Sequence, residues 1–305
     1  MLMMFNMKVY SLQFTAYYLC CSLFTVCFAQ EQNKEESDQQ IGDFSLTGYG
    51  EKGKRSWDLS GKSADIFTEI VKLKSVVGNL YGKEEDVKLT ADRGDFNKAD
   101  GKVHLEQNVV ITTSSGTRLT TDSLDWDRKA ALVTTEDLVN IQRENMVTTG
   151  TGAVGQMGLK QVSLQRDVTV DILPQPKAGQ PLDATDKTVI TCDGPLEIDY
   201  AKNIATFNNN VKVDRADSVM HSDKMDVYFS ADKDKGTSGA DAGGLSANKI
   251  DKIIARGNVE ILRGDNVSYS EEATYHTLDK KIILSGRPKL IIYSGGGLQN
   301  ASIGN

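Results

Sequence analysis

IIARGNVEI, residues 253–261, sets apolar side chains at Ile253, Ala255, Val259 and Ile261 on either side of a polar kernel, Gly257-Asn258. The same nine-position pattern occurs as VHLEQNVVI (103–111), VSLQRDVTV (162–170) and ATFNNNVKV (205–213). The sixth position is Asn108, Asp167, Asn210 or Asn258, and a valine always follows it. Apolar residues two apart give a strand one face toward a core and the other toward water, whereas a helix needs a spacing of three to four. The unit is a repeated β-strand. Its recurrence at irregular intervals points to a stack of similar strands.

Outward from these copies the chain reads as strand after strand from Phe44, with Gly, Asn and Asp as turn residues. SLDWDRKAALVT (123–134) echoes PLEIDYAKNIATF (195–207), which suggests duplication. LPQPKAGQPLDATD (173–186) holds three of the five prolines and breaks the pattern. It places a linker at 173–187 between a first β-unit at 42–172 and a second at 188–295. Residues 30–41 read as a spacer, 230–248 as a Gly/Asp/Ser-rich loop and 296–305 as a tail. One passage resists: SADIFTEIVKLKSVV (63–77) has Ile66, Ile70, Leu73 and Val77 near helical spacing. Its β surroundings favour a strand, with a short amphipathic helix as the alternative.

The N-terminus is a targeting segment. Lys8 precedes an almost uncharged run from Val9 to Ala29, and Cys27-Phe28-Ala29 resembles a small-x-small cleavage site. Residues 1–29 read as a cleaved signal peptide or a retained single-span anchor, since the run is just long enough to span a bilayer. A lipoprotein is disfavoured, because no cysteine follows a Leu-x-small pattern. Each reading exports the remainder. Three of the four cysteines lie in this leader, so Cys192 has no disulfide partner in the body and reads as a small hydrophobe. The formal charge of −7 argues against nucleic acid and anionic membrane surfaces.

No catalytic constellation emerges. His104, His221 and His276 sit in separate strands, and His104 lies on the outward phase of its own. No His-Cys cluster has metal spacing, no Gly-x-Ser-x-Gly elbow occurs, and no glycine loop leads from strand to helix. The acidic pairs Asp125/Asp127 and Asp223/Asp226 alternate with apolar residues, as on a solvated strand face. The reading is a non-enzymatic protein without cofactor or metal.

Phe44-Ser-Leu-Thr-Gly-Tyr49, followed by Trp57-Asp-Leu59-Ser-Gly61, and QNVVITTSSGTRLTTDSLDWD (107–127) resemble periplasmic lipopolysaccharide-transport proteins of the LptC type. DGPLEIDY, NNNVKV and ARGNVEI resemble the OstA-like domain of LptA and its relatives. Together the likeness spans about residues 42–295. It implies an all-β fold, an open twisted β-jellyroll in two OstA-like units, stacked or joined by a linker. It further implies an apolar interior that carries the acyl chains of lipid A from an inner-membrane ABC transporter toward the outer membrane. Partners would be lipopolysaccharide, that transporter, and a periplasmic bridge or outer-membrane translocon met by edge-strand pairing. The chain departs from the short LptC form by carrying the second unit, which leaves open the need for a separate bridge protein.

On this reading the inward phase supplies the candidate lipid-binding residues. They are Val103, Leu105, Val109 and Ile111, then Val168 and Val170, then Phe207, Val211 and Val213, then Ile253, Val259 and Ile261. Leu124, Trp126 and Met225 join them from intervening strands. The competing reading of every one is that it fills its own core. At the level of the protein, the alternatives are a surface β-repeat without lipid transport and a β-rich polysaccharide-active enzyme.

Overall fold

The computed structural model describes residues 37–50, 53–82, 85–127, 129–156, 161–173, 187–229, 250–279 and 281–293. The leader, most of the linker, the 230–248 loop and the tail lie outside the described residues.

Seventeen strands follow one another, with no helix among the described residues. The first nine are β1 (Gln39–Tyr49), β2 (Arg55–Ile66), β3 (Ile70–Tyr81), β4 (Asp86–Asn97), β5 (Lys102–Thr113), β6 (Arg118–Asp127), β7 (Leu132–Arg143), β8 (Met146–Gln156) and β9 (Gln161–Ile172). Then come β10 (Thr188–Cys192), β11 (Leu196–Asp199), β12 (Ile204–Arg215), β13 (Ser218–Phe229), β14 (Ile250–Arg263), β15 (Asn266–His276), β16 (Lys281–Ser285) and β17 (Lys289–Ile291). Apart from β10 with β11 and β16 with β17, consecutive strands pair antiparallel in one 17-stranded sheet. Two strands come in halves: β10 and β11 both lie between β9 and β12, and β16 and β17 both pair with β15.

The repeat kernel explains the shape. Gln107-Asn108, Asp167, Asn209-Asn210 and Gly257-Asn258 all have positive φ, between 46° and 75°. Asn, Asp and Gly reach this left-handed region at least cost. Pairing slips there, between Glu106 and Val109, Asn208 and Val211, and Arg256 and Val259. Such bulges bend a strand and raise its twist. With one in strand after strand the sheet folds along a line, so both halves of each strand face a common interior; Leu105 and Ile111, from the two halves of β5, belong to one core. The kernel asparagines also tie neighbouring corners together. Asn108 Nδ2 donates to Asp92 at 2.6 Å and Asn258 Nδ2 to Asp223 at 2.9 Å. Glycine is required at 257, since φ is +75° and a Cβ would collide with the Asp223 carboxylate.

The same device resolves the ambiguous passage. Residues 63–77 form the end of β2, a turn at Phe67–Glu69, and the start of β3. Ser75 has φ 52°, and this irregularity lets Leu73 and Val76, three apart, both point into the core. Of Ile66, Ile70, Leu73 and Val77, Leu73 alone is buried, and the passage is two strands with a bulge, as its surroundings suggested.

The two units meet as one sheet. β9 pairs with β10 through Val170 and Ile190 and with β11 through Leu164 and Leu196. One buried cluster runs from Phe44 to Val227 across this seam. A continuous hydrogen-bonded sheet therefore joins the units, whatever course the chain takes over 174–186. Among the described residues, β1 pairs only with β2, and β16 and β17 only with β15, so the sheet never closes. Both edges carry exposed apolar side chains: Ile41, Leu46 and Tyr49 at one, Ile282, Ile283, Leu290, Ile292 and Tyr293 at the other.

Candidate functional site

Between the folded halves of β8 to β16 lies a cavity of about 590 Å³, within the roughly 300–1,000 Å³ range of small-molecule sites. One layer contributes Met146, Thr148, Val170, Ile172, Thr188, Ile190, Val213, Met220 and Ile261. The other contributes Leu196, Ile198, Ala205, Phe207, Met225, Val227, Phe229, Ile250, Ile253, Tyr275 and Ile282. The lining grades from buried Leu196 and Met225 to exposed Ile282 on the C-terminal edge strand, so the space opens to solvent on that side. Its charged lining residues, Arg215, Asp217 and Arg263, stand together at the tip of one layer.

At the inner end the layers are pinned. The Arg143 guanidinium, at the end of β7, lies 5.6 Å from the centre of the Tyr200 ring, in the turn after β11. This is cation–π geometry. Burial pushes the Tyr200 phenol up in pKa, and Arg143 partly opposes that shift.

The structure sorts the predicted lipid-binding residues into three groups. Val170, Phe207, Val213, Met225, Ile253 and Ile261 line the cavity. Leu105, Val109, Ile111, Leu124, Val168, Val211 and Val259 are almost fully enclosed, with Val109, Val211 and Val259 at 0% exposure. These seven pack against other side chains and touch no open space. Val103 and Trp126 are half-buried and pack against the core of the first unit. The first-unit candidates other than Val170 thus pack into the interior, and the cavity is walled from β8 onward, on both sides of the seam.

Several cavity residues escape the nine-residue pattern. Met220, Phe229, Ile250 and Tyr275 lie toward the far ends of their strands, outside the repeat. A signal for one was present: Phe229 continues the alternation of Met225 and Val227. Met146, Thr148 and Ile172 belong by sequence to the first unit but form a wall of the second unit's cavity. That placement depends on the seam and has no local signature.

The outer face carries the polar residues. His104 bonds Asp125 at 2.7 Å and Glu106 at 3.1 Å. Partial burial disfavours its charged form, but these carboxylates outweigh it and raise its pKa. Asp223 serves the Asn258 corner, while Asp226 accepts from Thr206 at 2.9 Å and pairs with Arg256. Both acidic pairs thus have structural partners. Cys192 is buried in the core, and burial pushes its thiol up in pKa.

Residues 16–172 match the family described as lipopolysaccharide-assembly, LptC-related. The chain belongs to this family. Residues 194–303 match a second description, LptA/(LptD N-terminal domain) LPS transport protein. A search of curated proteins found no match. The LptC-related part ends at Ile172, the last residue of β9, and the LptA-type part begins in the corner between β10 and β11. An LptC-type unit is thus followed by an LptA-type unit within one sheet, and the chain is a lipopolysaccharide-transport component.

Proposed function

We propose that this LptC-related chain carries lipopolysaccharide across the periplasm by sheltering lipid A acyl chains in the cavity of its second unit, without catalysing a reaction. The observation that carries this reading is an apolar space between two unsealed layers, in a chain whose two halves match lipopolysaccharide-transport families. Each methylene withdrawn from water contributes roughly 0.8 kcal/mol. Long tails therefore need shelter to cross an aqueous compartment, and the push comes from the ATPase of the inner-membrane transporter. The leader, as signal peptide or anchor, delivers the chain to that compartment. A photo-crosslinking residue in place of Val213 or Ile253 should capture glycolipid in cells making lipopolysaccharide, and one in place of outward-facing His104 or Glu260 should not. Equal labelling at all four positions, or none, rejects the reading.

The edges support a place in a chain of modules. An exposed apolar edge strand invites aggregation unless a partner strand covers it, and strand addition would extend the sheet end to end. β1 is proposed to meet the transporter, and β16 with β17 the next bridge component or the outer-membrane translocon. Deleting residues 288–305 should then abolish co-purification with the outer-membrane side while leaving transporter binding. Undiminished capture would refute the C-terminal assignment.

A further inference from the structure

We infer that Arg215 and Arg263 form a binding site for a phosphate of the glycolipid head group, at one lip of the cavity. The inference rests on the reading above and adds where the head sits and which way the lipid faces.

The charge of the lining is one-sided. Arg215, Asp217 and Ser218 belong to the end of β12, its turn and the start of β13, and Arg263 ends the adjacent β14. Across the opening, among the described residues, no charged side chain lines the lip formed by Phe229, Ile250, Tyr275 and Thr277. An amphipathic anion with its tails between the layers therefore meets the cationic donors of the described lining at the Arg215–Arg263 lip.

The arginines are under-compensated. Asp217 is shared by both, with Arg263 Nη2 at 3.2 Å and Arg215 Nε at 3.9 Å, and it also accepts from Ser218 Oγ at 3.0 Å. Among the described residues, both arginines pair with this one carboxylate, which leaves the three side chains together with a net positive charge. Each guanidinium has five N–H donors, so several stay available in the fork geometry that matches phosphate. The nearby Lys212 pairs with Asp214 at 3.0 Å on the outward phase of β12. Both arginines are exposed, which keeps a bound head group in water while the tails are not. The chain's net charge of −7 would otherwise repel such a ligand, so a local cationic pair is what admits it.

Bis-phosphorylated lipid A and its dephosphorylated counterpart, titrated into the purified chain at low salt, separate head from tails. The intact protein should prefer the phosphorylated lipid by about tenfold or more, the scale of one or two charge-assisted hydrogen bonds. R215Q/R263Q should bind both lipids alike, with its affinity for the dephosphorylated lipid unchanged. D217N should widen the preference by removing the competing carboxylate, and added salt should narrow it. Equal affinity of the intact protein for the two lipids overturns the head-group site and leaves tail shelter standing. Failure to bind either lipid rejects both. Inorganic phosphate alone should displace nothing at concentrations where lipid binds; if it binds the arginines as well as the lipid does, the site is a plain anion site and the inference falls.

Discussion

Tryptophan at both Val213 and Ile253 should abolish glycolipid loading while leaving the sheet folded. The two side chains line the cavity from opposite layers, one beyond the corner of β12 and the other before the corner of β14. Both are only half-buried, so the added rings enter existing space. The usual penalty for overfilling a packed core, roughly 1–3 kcal/mol, should therefore be small here. The loss on the ligand side is larger. At roughly 0.8 kcal/mol per methylene, excluding even five methylenes forfeits about 4 kcal/mol, close to a thousandfold in affinity. The measurements are lipid binding by the purified variant and its ability to replace the wild type in cells that depend on lipopolysaccharide export. A folded double variant that loads lipid normally would move the binding site elsewhere.

Aspartate at Leu164 should unfold the protein or nearly so. Leu164 is fully enclosed, opposes Leu196 across the seam, and fills the space that a side chain at Gly150 would occupy. A carboxylate there has no partner, and an uncompensated buried charge costs about 3–5 kcal/mol. The lost leucine packing adds to this, and domains are typically stable by only about 5–15 kcal/mol. Leu164→Val, by contrast, should cost about 1 kcal/mol. Denaturant unfolding of the two variants gives both numbers. A loss below about 2 kcal/mol for the aspartate would mean that the seam opens to water and that the units do not share one core.

The all-β character was legible at once, because strand periodicity is a local property. Val103, Leu105, Val109 and Ile111 alternate within nine residues, and no distant contact is needed to see which face they share. The kernel was legible as a motif but not as a corner. Asn108 and Asn258 look like ordinary turn residues until the register slips beside them and their amides are seen reaching Asp92 and Asp223. The 63–77 passage is strand, as its β surroundings suggested, and one left-handed residue at Ser75 sets Leu73 and Val76, three apart, on the same face.

By itself the amino-acid order determined that strands would form and which of their faces would be apolar. Each depends on a few adjacent residues and their backbone preferences. Only the tertiary structure decided which inward side chains are sealed, as Val109 and Val259 are, and which border open space, as Val213 and Ile253 do. All four occupy the same phase of the same repeat. What separates them is how far the two layers stand apart at each level, and that distance is set jointly by twist, corners and pairings between residues far apart in the chain.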